Sequence, residues 1–132
     1  MSSNLVHVAV GVILSPENRI LISLRHPDSH QGGLWEFPGG KVEADESVER
    51  AIARELNEEL GITVSELRPL MVINHDYPDK SVCLDVWWVE CFSGEPEGRE
   101  GQLIRWVEAA DLTNYIFPQA NLPILEAIQA AC

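Results

Sequence analysis

The apolar positions of the chain fall into runs whose period and punctuation predict strands and two helices. Leu5 to Leu14 is an apolar, β-branched run closed by the turn-like Ser15-Pro16-Glu17-Asn18. Arg19 to Arg25 follows as a second strand, so the two are expected to form a hairpin. His26 to Leu34 contains Pro27 and the Gly32-Gly33 pair and reads as a loop. Trp35-Glu36-Phe37 is a short strand running into Pro38-Gly39-Gly40. Ser47 is placed to cap a helix that reaches Leu60 and stops at Gly61. Leu67 to His75 and Ser81 to Phe92 read as strands around the turn Asp76 to Lys80. The loop Ser93 to Gln102, with three glycines, Pro96 and four charges, precedes a strand from Ile104 to Val107. A short helical turn at Glu108 to Leu112 and a last helix from Pro118 to Ala131 complete the chain. The expected class is α/β or α+β, a mixed sheet flanked by helices in one domain spanning residues 1–132.

Within the first helix the apolar residues Ile52, Leu56 and Leu60 share one side. Glu55, Glu58 and Glu59 share another, inside an arc of about 100° at the helical period. Like charges spaced this way cost a few tenths of a kcal/mol per pair on an open helix. A solvated acidic face is the plain reading. The alternative is a site for divalent cations, because clustered carboxylates are hard oxygen ligands suited to Mg²⁺ or Mn²⁺. No Cys/His set with zinc spacing competes. Gly39 and Gly40 lie just before the helix, and their carbonyls are available as further oxygen ligands.

The formal net charge of −12 on 132 residues argues against a duplex nucleic-acid binder, which needs a basic face. It leaves room for a small anionic ligand, since cations held by the acids reverse the local potential. No apolar run is long enough for a membrane helix, and Met1-Ser2-Ser3-Asn4 lacks the basic start of an export signal. Three cysteines, Cys83, Cys91 and Cys132, form no metal-type spacing. Cys83 and Cys91 are expected as core or half-buried thiols, in keeping with a reducing cytoplasm.

The string Gly-x5-Glu-x7-Arg-Glu-Leu-x-Glu-Glu-x-Gly-Ile, met by Gly40, Glu46, Arg54, Glu55, Leu56, Glu58, Glu59, Gly61 and Ile62, resembles the Nudix box. The resemblance implies an α/β/α sandwich with a mixed sheet and Mg²⁺-dependent hydrolysis of a nucleoside diphosphate linked to another group. By that resemblance Glu58 and Glu59 bind metal together with the Gly39 carbonyl. Glu55 is a further ligand and the expected general base, Arg54 orients Glu55, and Glu46 supports the loop-helix geometry.

Outside the box the chain is similar to the MutT-type branch of the family. The matching pieces are Ala9-Val10-Gly11, Trp35 to Gly40, Tyr77-Pro78-Asp79, Gly94-Glu95-Pro96, Gly98 to Gln102, and Phe117 to Asn121. This likeness implies a cytoplasmic, monomeric enzyme that hydrolyses 8-oxo-dGTP to the monophosphate and pyrophosphate and so protects DNA synthesis. It implies substrate contacts at Arg25, His30, Glu36, Phe37, Pro38, Gly39, Lys80 and Asn121, and a further catalytic acid at Glu100 beside the metals, the alternative to Glu55 as the base. Asn121 is the expected base reader, because its amide offers one donor and one acceptor to O6 and N7–H of the oxidised base. A helix N-cap is the structural alternative for Asn121. Lys80 departs from the arginine common in such relatives, keeping the charge and losing the planar fork. Two other activities remain open. One is hydrolysis of another nucleotide, such as a cytidine triphosphate or a dinucleotide, and the other is a non-catalytic module of the same fold.

Overall fold

The computed structural model describes residues 5–25 and 33–132. Four strands form a mixed sheet in the order β4-β1-β6-β5: β4 (Gly39–Lys41), β1 (Leu5–Ile13), β6 (Lys80–Ser93) and β5 (Thr63–Tyr77). β1 runs parallel to β6 and antiparallel to β4, while β5 and β6 form a long antiparallel hairpin. Three more strands, β3 (Trp35–Glu36), β2 (Arg19–Leu24) and β7 (Ile104–Glu108), form a second, antiparallel sheet in that order. Helix α1 spans Val48–Leu60 and helix α2 spans Leu122–Ala131.

Strand alternation sends successive residues into two separate cores. Ala9 and Ile13 of β1 pack with Leu21, Val89 and the Ala51, Ile52, Leu56 and Leu60 face of α1. Val10 and Val12 pack with Ile20, Ile22, Val86, Trp88 and the Ile124, Leu125 and Ile128 face of α2. Both faces of β1, β2 and β6 are therefore buried, which is why these strands read as continuous apolar runs and not as alternating ones. The result is a mixed α+β sandwich with one helix on each side. No described helix is long and apolar enough to cross a membrane.

The expected hairpin between residues 5–14 and 19–25 does not form. β1 already has β6 along one edge and β4 along the other, so β2 turns away into the second sheet. The two stay joined at the isolated bridge between Leu14 and Ile20. The last helix also differs from its expected span. Gln119–Asn121 is a single 3-10 turn, and α2 starts at Leu122 with Pro123 in its first turn, where a missing N–H costs nothing. Cys91 is exposed where a core or half-buried thiol was expected, and Cys83 is half-buried. Burial and the nearby Asp85 push the Cys83 thiol up.

Helix α1 is bounded as its sequence implies. The Ser47 hydroxyl accepts the Arg50 N–H at 3.1 Å, and Gly61 ends the helix at φ 75°, a left-handed conformation that favours glycine. Leu56 is fully buried on the face of α1 that meets β1. Replacing it by alanine leaves a cavity in a core that cannot close over it. Leu56→Ala is expected to lower the unfolding free energy by about 3 kcal/mol, read from urea denaturation midpoints at unchanged m-value.

Candidate active site

The site is built where β4 meets the side of α1. The pairing of Gly39 with Val10 and Gly40 with Ala9 carries the Gly-Gly pair across β1. The Gly11 N–H then donates to the Pro38 carbonyl at 2.8 Å. A Cβ on Gly40 would run into the Glu55 carboxylate, so glycine is what allows Glu55 to lie against the strand.

Arg54 ties the strand, the loop and the helix together. Its Nε donates to Glu46 Oε2 at 2.7 Å, and its Nη2 donates to Glu46 Oε1 at 3.0 Å and to the Lys41 carbonyl at 3.1 Å. Nη1 donates to Glu55 Oε2 at 3.1 Å and to Glu58 Oε1 at 3.4 Å, with Glu43 at 3.9 Å. Glu46 Oε1 also accepts the Glu43 N–H at 2.9 Å, which closes the loop between β4 and α1. The bidentate contact with Arg54 holds the Glu46 carboxyl well below its usual range, at about 2.

Glu59 is the opposite case. Its pKa is pushed well up, first by burial, then by its hydrogen bond with Glu55 and by the charges of Glu55, Glu100 and Glu36. Glu36 is also raised by burial, against the lowering pull of Arg25, whose Nη1 lies 2.6 Å from Glu36 Oε1. Glu58 is turned toward Arg54 and largely exposed. Among the described residues no three His, Cys, Asp or Glu side chains close on one point as a ready-made cage. The donor chemistry still fits a hard divalent cation, because Glu55 and Glu59 bring carboxylate oxygens together at a half-buried position that favours a proton on Glu59. A cation there replaces that proton and relieves the repulsion.

The loop after β6 folds back onto the end of α1. The Glu97 N–H donates to the Leu60 carbonyl at 3.0 Å, the Arg99 N–H to the Glu59 carbonyl at 3.0 Å, and Gln102 Nε2 to the same Glu59 carbonyl at 3.1 Å. These bonds satisfy the last carbonyls of the helix and bring Glu100 near Glu59 and Glu36.

Beside this acidic wall lies a cleft of about 290 Å³. Arg25, Glu36, Phe37, Gly39, Lys80 and Asn121 all line it, from the ends of β2 and β3, from β4, the start of β6 and the entry to α2. Phe37 is both core and wall, stacked on Phe117 at 5.1 Å between ring centroids. Asn121 occupies the N-cap position of α2, yet its side chain makes no capping hydrogen bond. Pro38 is buried behind the wall and contributes its carbonyl to β1. His30 lies outside the described residues.

Three participants were not among the expected contacts, although Tyr77 and Gln102 lie in stretches that resemble the MutT-type branch. His75 and Tyr77 line the cleft from the end of β5, with ring centroids 4.5 Å apart. Their spacing of two places them on one face of a strand, which was the available signal. Gln102 sits in a loop without periodicity, and its one mark was its place in the stretch Gly98 to Gln102 that resembles the MutT-type branch.

The Glu46 carboxylate, held down by Arg54, stabilises the fold above its unfolded pKa near 4.5, and that contribution is lost as pH falls toward 2. The Tm difference between wild type and Glu46→Gln is therefore expected to be largest near neutral pH, to shrink below about pH 4.5 and to vanish near pH 2. A difference that stays constant across a thermal-melt series in pH contradicts this.

Several known proteins are similar to this chain in sequence and fold. A family model described as NUDIX domain matches residues 9–127. The 8-oxo-dGTP diphosphatase of Escherichia coli (strain K12) is 39% identical over 124 residues, covering 94% of this chain and 96% of that protein. The CTP pyrophosphohydrolase of the same organism is 36% identical over 121 residues, covering 92% and 90%. A structure from work on MutT of Aliivibrio salmonicida and Vibrio cholerae superposes with a TM-score of 0.86 at 43% identity, covering 97% of this chain and 99% of that chain. The solution structure of the Escherichia coli ORF135 protein gives a TM-score of 0.86 at 34% identity, covering 97% and 91%. With the acidic helix, the Gly-Gly strand and the bridging arginine in one place, and a family match over most of its length, this chain belongs to the Nudix family of hydrolases.

Proposed function

We propose that the protein hydrolyses 8-oxo-dGTP to 8-oxo-dGMP and pyrophosphate, acting as a cytoplasmic monomer that clears the oxidised nucleotide before DNA synthesis can use it. The observation that carries this reading is Asn121, a polar amide at the cleft wall that its own helix leaves uncapped. Oxidation at C8 puts a hydrogen on N7 of guanine. The Asn121 amide then donates to O6 and accepts from N7–H in one orientation. Against unmodified guanine, whose O6 and N7 both accept, either orientation leaves the amide oxygen facing an acceptor. A buried mismatch of this kind discriminates by orders of magnitude.

The remaining residues divide the work. Phe37 supports the base pocket, and Lys80 sets positive charge at the cleft rim, with Arg25 held in place by Glu36. Glu55, Glu58, Glu59 and the Gly39 carbonyl are the residues that would hold Mg²⁺, with Mn²⁺ as a substitute. Such an ion neutralises phosphate charge and acidifies a bound water. Glu55, oriented by Arg54, takes one proton from the attacking water. The water oxygen forms its new bond at the β-phosphorus, by analogy with the family. The bridge to the α-phosphate breaks, and the nucleoside monophosphate leaves. Glu100 adds negative charge at the loop side of the same acids.

The CTP pyrophosphohydrolase among the relatives supports a second reading, in which a cytidine nucleotide occupies the same cleft. Initial rates with 8-oxo-dGTP, dGTP and CTP separate the two. The wild type is expected to have a kcat/KM for 8-oxo-dGTP at least about a hundredfold above that for dGTP, and Asn121→Ala to lose most of that ratio. Equal losses on both guanine nucleotides would leave Asn121 a structural residue, and a preference for CTP would overturn the main reading. Glu55→Gln is expected to lower kcat by about 10²- to 10⁴-fold while the far-UV spectrum and Tm stay near wild type.

A further inference from the structure

We infer that Gln102 is a positioning residue of the active site, its carboxamide clamping the backbone that carries Glu100 to the backbone of Glu59. This rests on the hydrolase reading above, because Glu100 matters only if the acids around Glu59 form the reacting centre. The geometry is a bridge. Gln102 Oε1 accepts the Glu100 N–H at 2.9 Å, and Gln102 Nε2 donates to the Glu59 carbonyl at 3.1 Å. The two partners dictate the orientation of the amide, since an N–H requires the oxygen and a carbonyl requires the nitrogen.

The bridged loop has few other fastenings near Glu100. Gly98 to Gly101 is a tight turn closed by the Gly101 N–H donating to the Gly98 carbonyl at 3.0 Å, with Glu100 at its third position. The Arg99 N–H holds the base of the turn to the Glu59 carbonyl at 3.0 Å. Glu100 and Gly101 are exposed, so packing does not hold them, whereas the half-exposed Arg99 guanidinium lies over Gly61 at the end of α1. Gln102 is half-buried, and its carboxamide ties the Glu100 backbone to α1. Glu59 is thus gripped twice: its carboxyl faces Glu55, and its carbonyl is the anchor for the loop that delivers Glu100. Holding a charged group to within a fraction of an ångström is what distinguishes a working constellation from a loose one, and a displacement of about 1 Å can cost about a hundredfold in rate.

Losing the clamp should therefore act through Glu100 and not through general stability. The test is a double-mutant cycle with Gln102→Ala and Glu100→Gln, together with amide exchange of the Glu100 N–H followed by NMR on the metal-free protein. Gln102→Ala is expected to speed exchange at Glu100 and to lower kcat by about tenfold or more at little changed KM. In the Glu100→Gln background the same change should lower kcat by less than about twofold, because the group being positioned is already gone. Equal kcat losses in both backgrounds, or a parallel fall in Tm and kcat, would make Gln102 structural and overturn the inference. Unchanged exchange at Glu100 overturns the clamp itself. Rates are measured with 8-oxo-dGTP and CTP. A wild type inactive on both removes the proposed function and the catalytic role of the clamp with it, whereas the exchange result still decides the bridge.

Discussion

The Arg54 guanidinium is the contact on which the rest of the site depends. Five donors in one rigid plane reach the carbonyl of β4 at Lys41, the loop acid Glu46, and the helix acids Glu55 and Glu58. Each of those three segments would be separated from the others by like charge or by unsatisfied polar atoms without it. A lysine at this position could satisfy one neighbour as a point charge, but it could not span the two Glu46 oxygens and Glu55 together. The arginine therefore sets the register between strand and helix, and it fixes the orientation of the Glu55 carboxylate.

That single cation does not neutralise its surroundings. Glu55, Glu59, Glu36 and Glu100 act on one another, and Glu59 responds by holding its proton through burial and the nearness of Glu55. Side chains chosen for stability alone would not be gathered in this way, since burying unpaired carboxylates opposes folding. The arrangement becomes reasonable when a divalent cation and a polyphosphate share the space, because each then supplies the charge that the other lacks. The strain sits beside a well-packed core, in which Leu56 and Ile52 anchor the helix whose other face carries the acids.

The acidic wall and the nucleotide cleft come from distant parts of the chain. β1 lies between β4 and β6, and so brings the Gly-Gly strand beside the long β5-β6 hairpin. The paired ends of β5 and β6 contribute Tyr77 and Lys80 to the cleft, and the 3-10 turn before α2 contributes Ala120 and Asn121. The loop 94–102 is fastened to the end of α1, where the free carbonyls of a helix terminus attract donors. One helix thus serves as the support for both the acids on its side and the loop at its end.

Local chemistry was legible in the sequence. The cap at Ser47, the stop at Gly61, the helix between them and the shared face of Glu55, Glu58 and Glu59 follow from residue type and helical period, because they depend only on neighbours a few positions away. The strand segments were legible for the same reason. Strand pairing was not legible: β1 and β2, adjacent in sequence, part into two sheets because both edges of β1 are claimed by segments far along the chain. Cys91 shows the same limit, since an apolar run does not tell which of its residues face solvent. Nor did spacing distinguish Glu58, drawn to Arg54, from Glu59, buried against Glu55. The sequence by itself determined which side chains the site can use, since donor type and charge are properties of single residues. Which of them meet, and that Gln102 bridges Glu100 to Glu59, only the tertiary structure decided, because distances between residues far apart in sequence are set by packing and not by local preference.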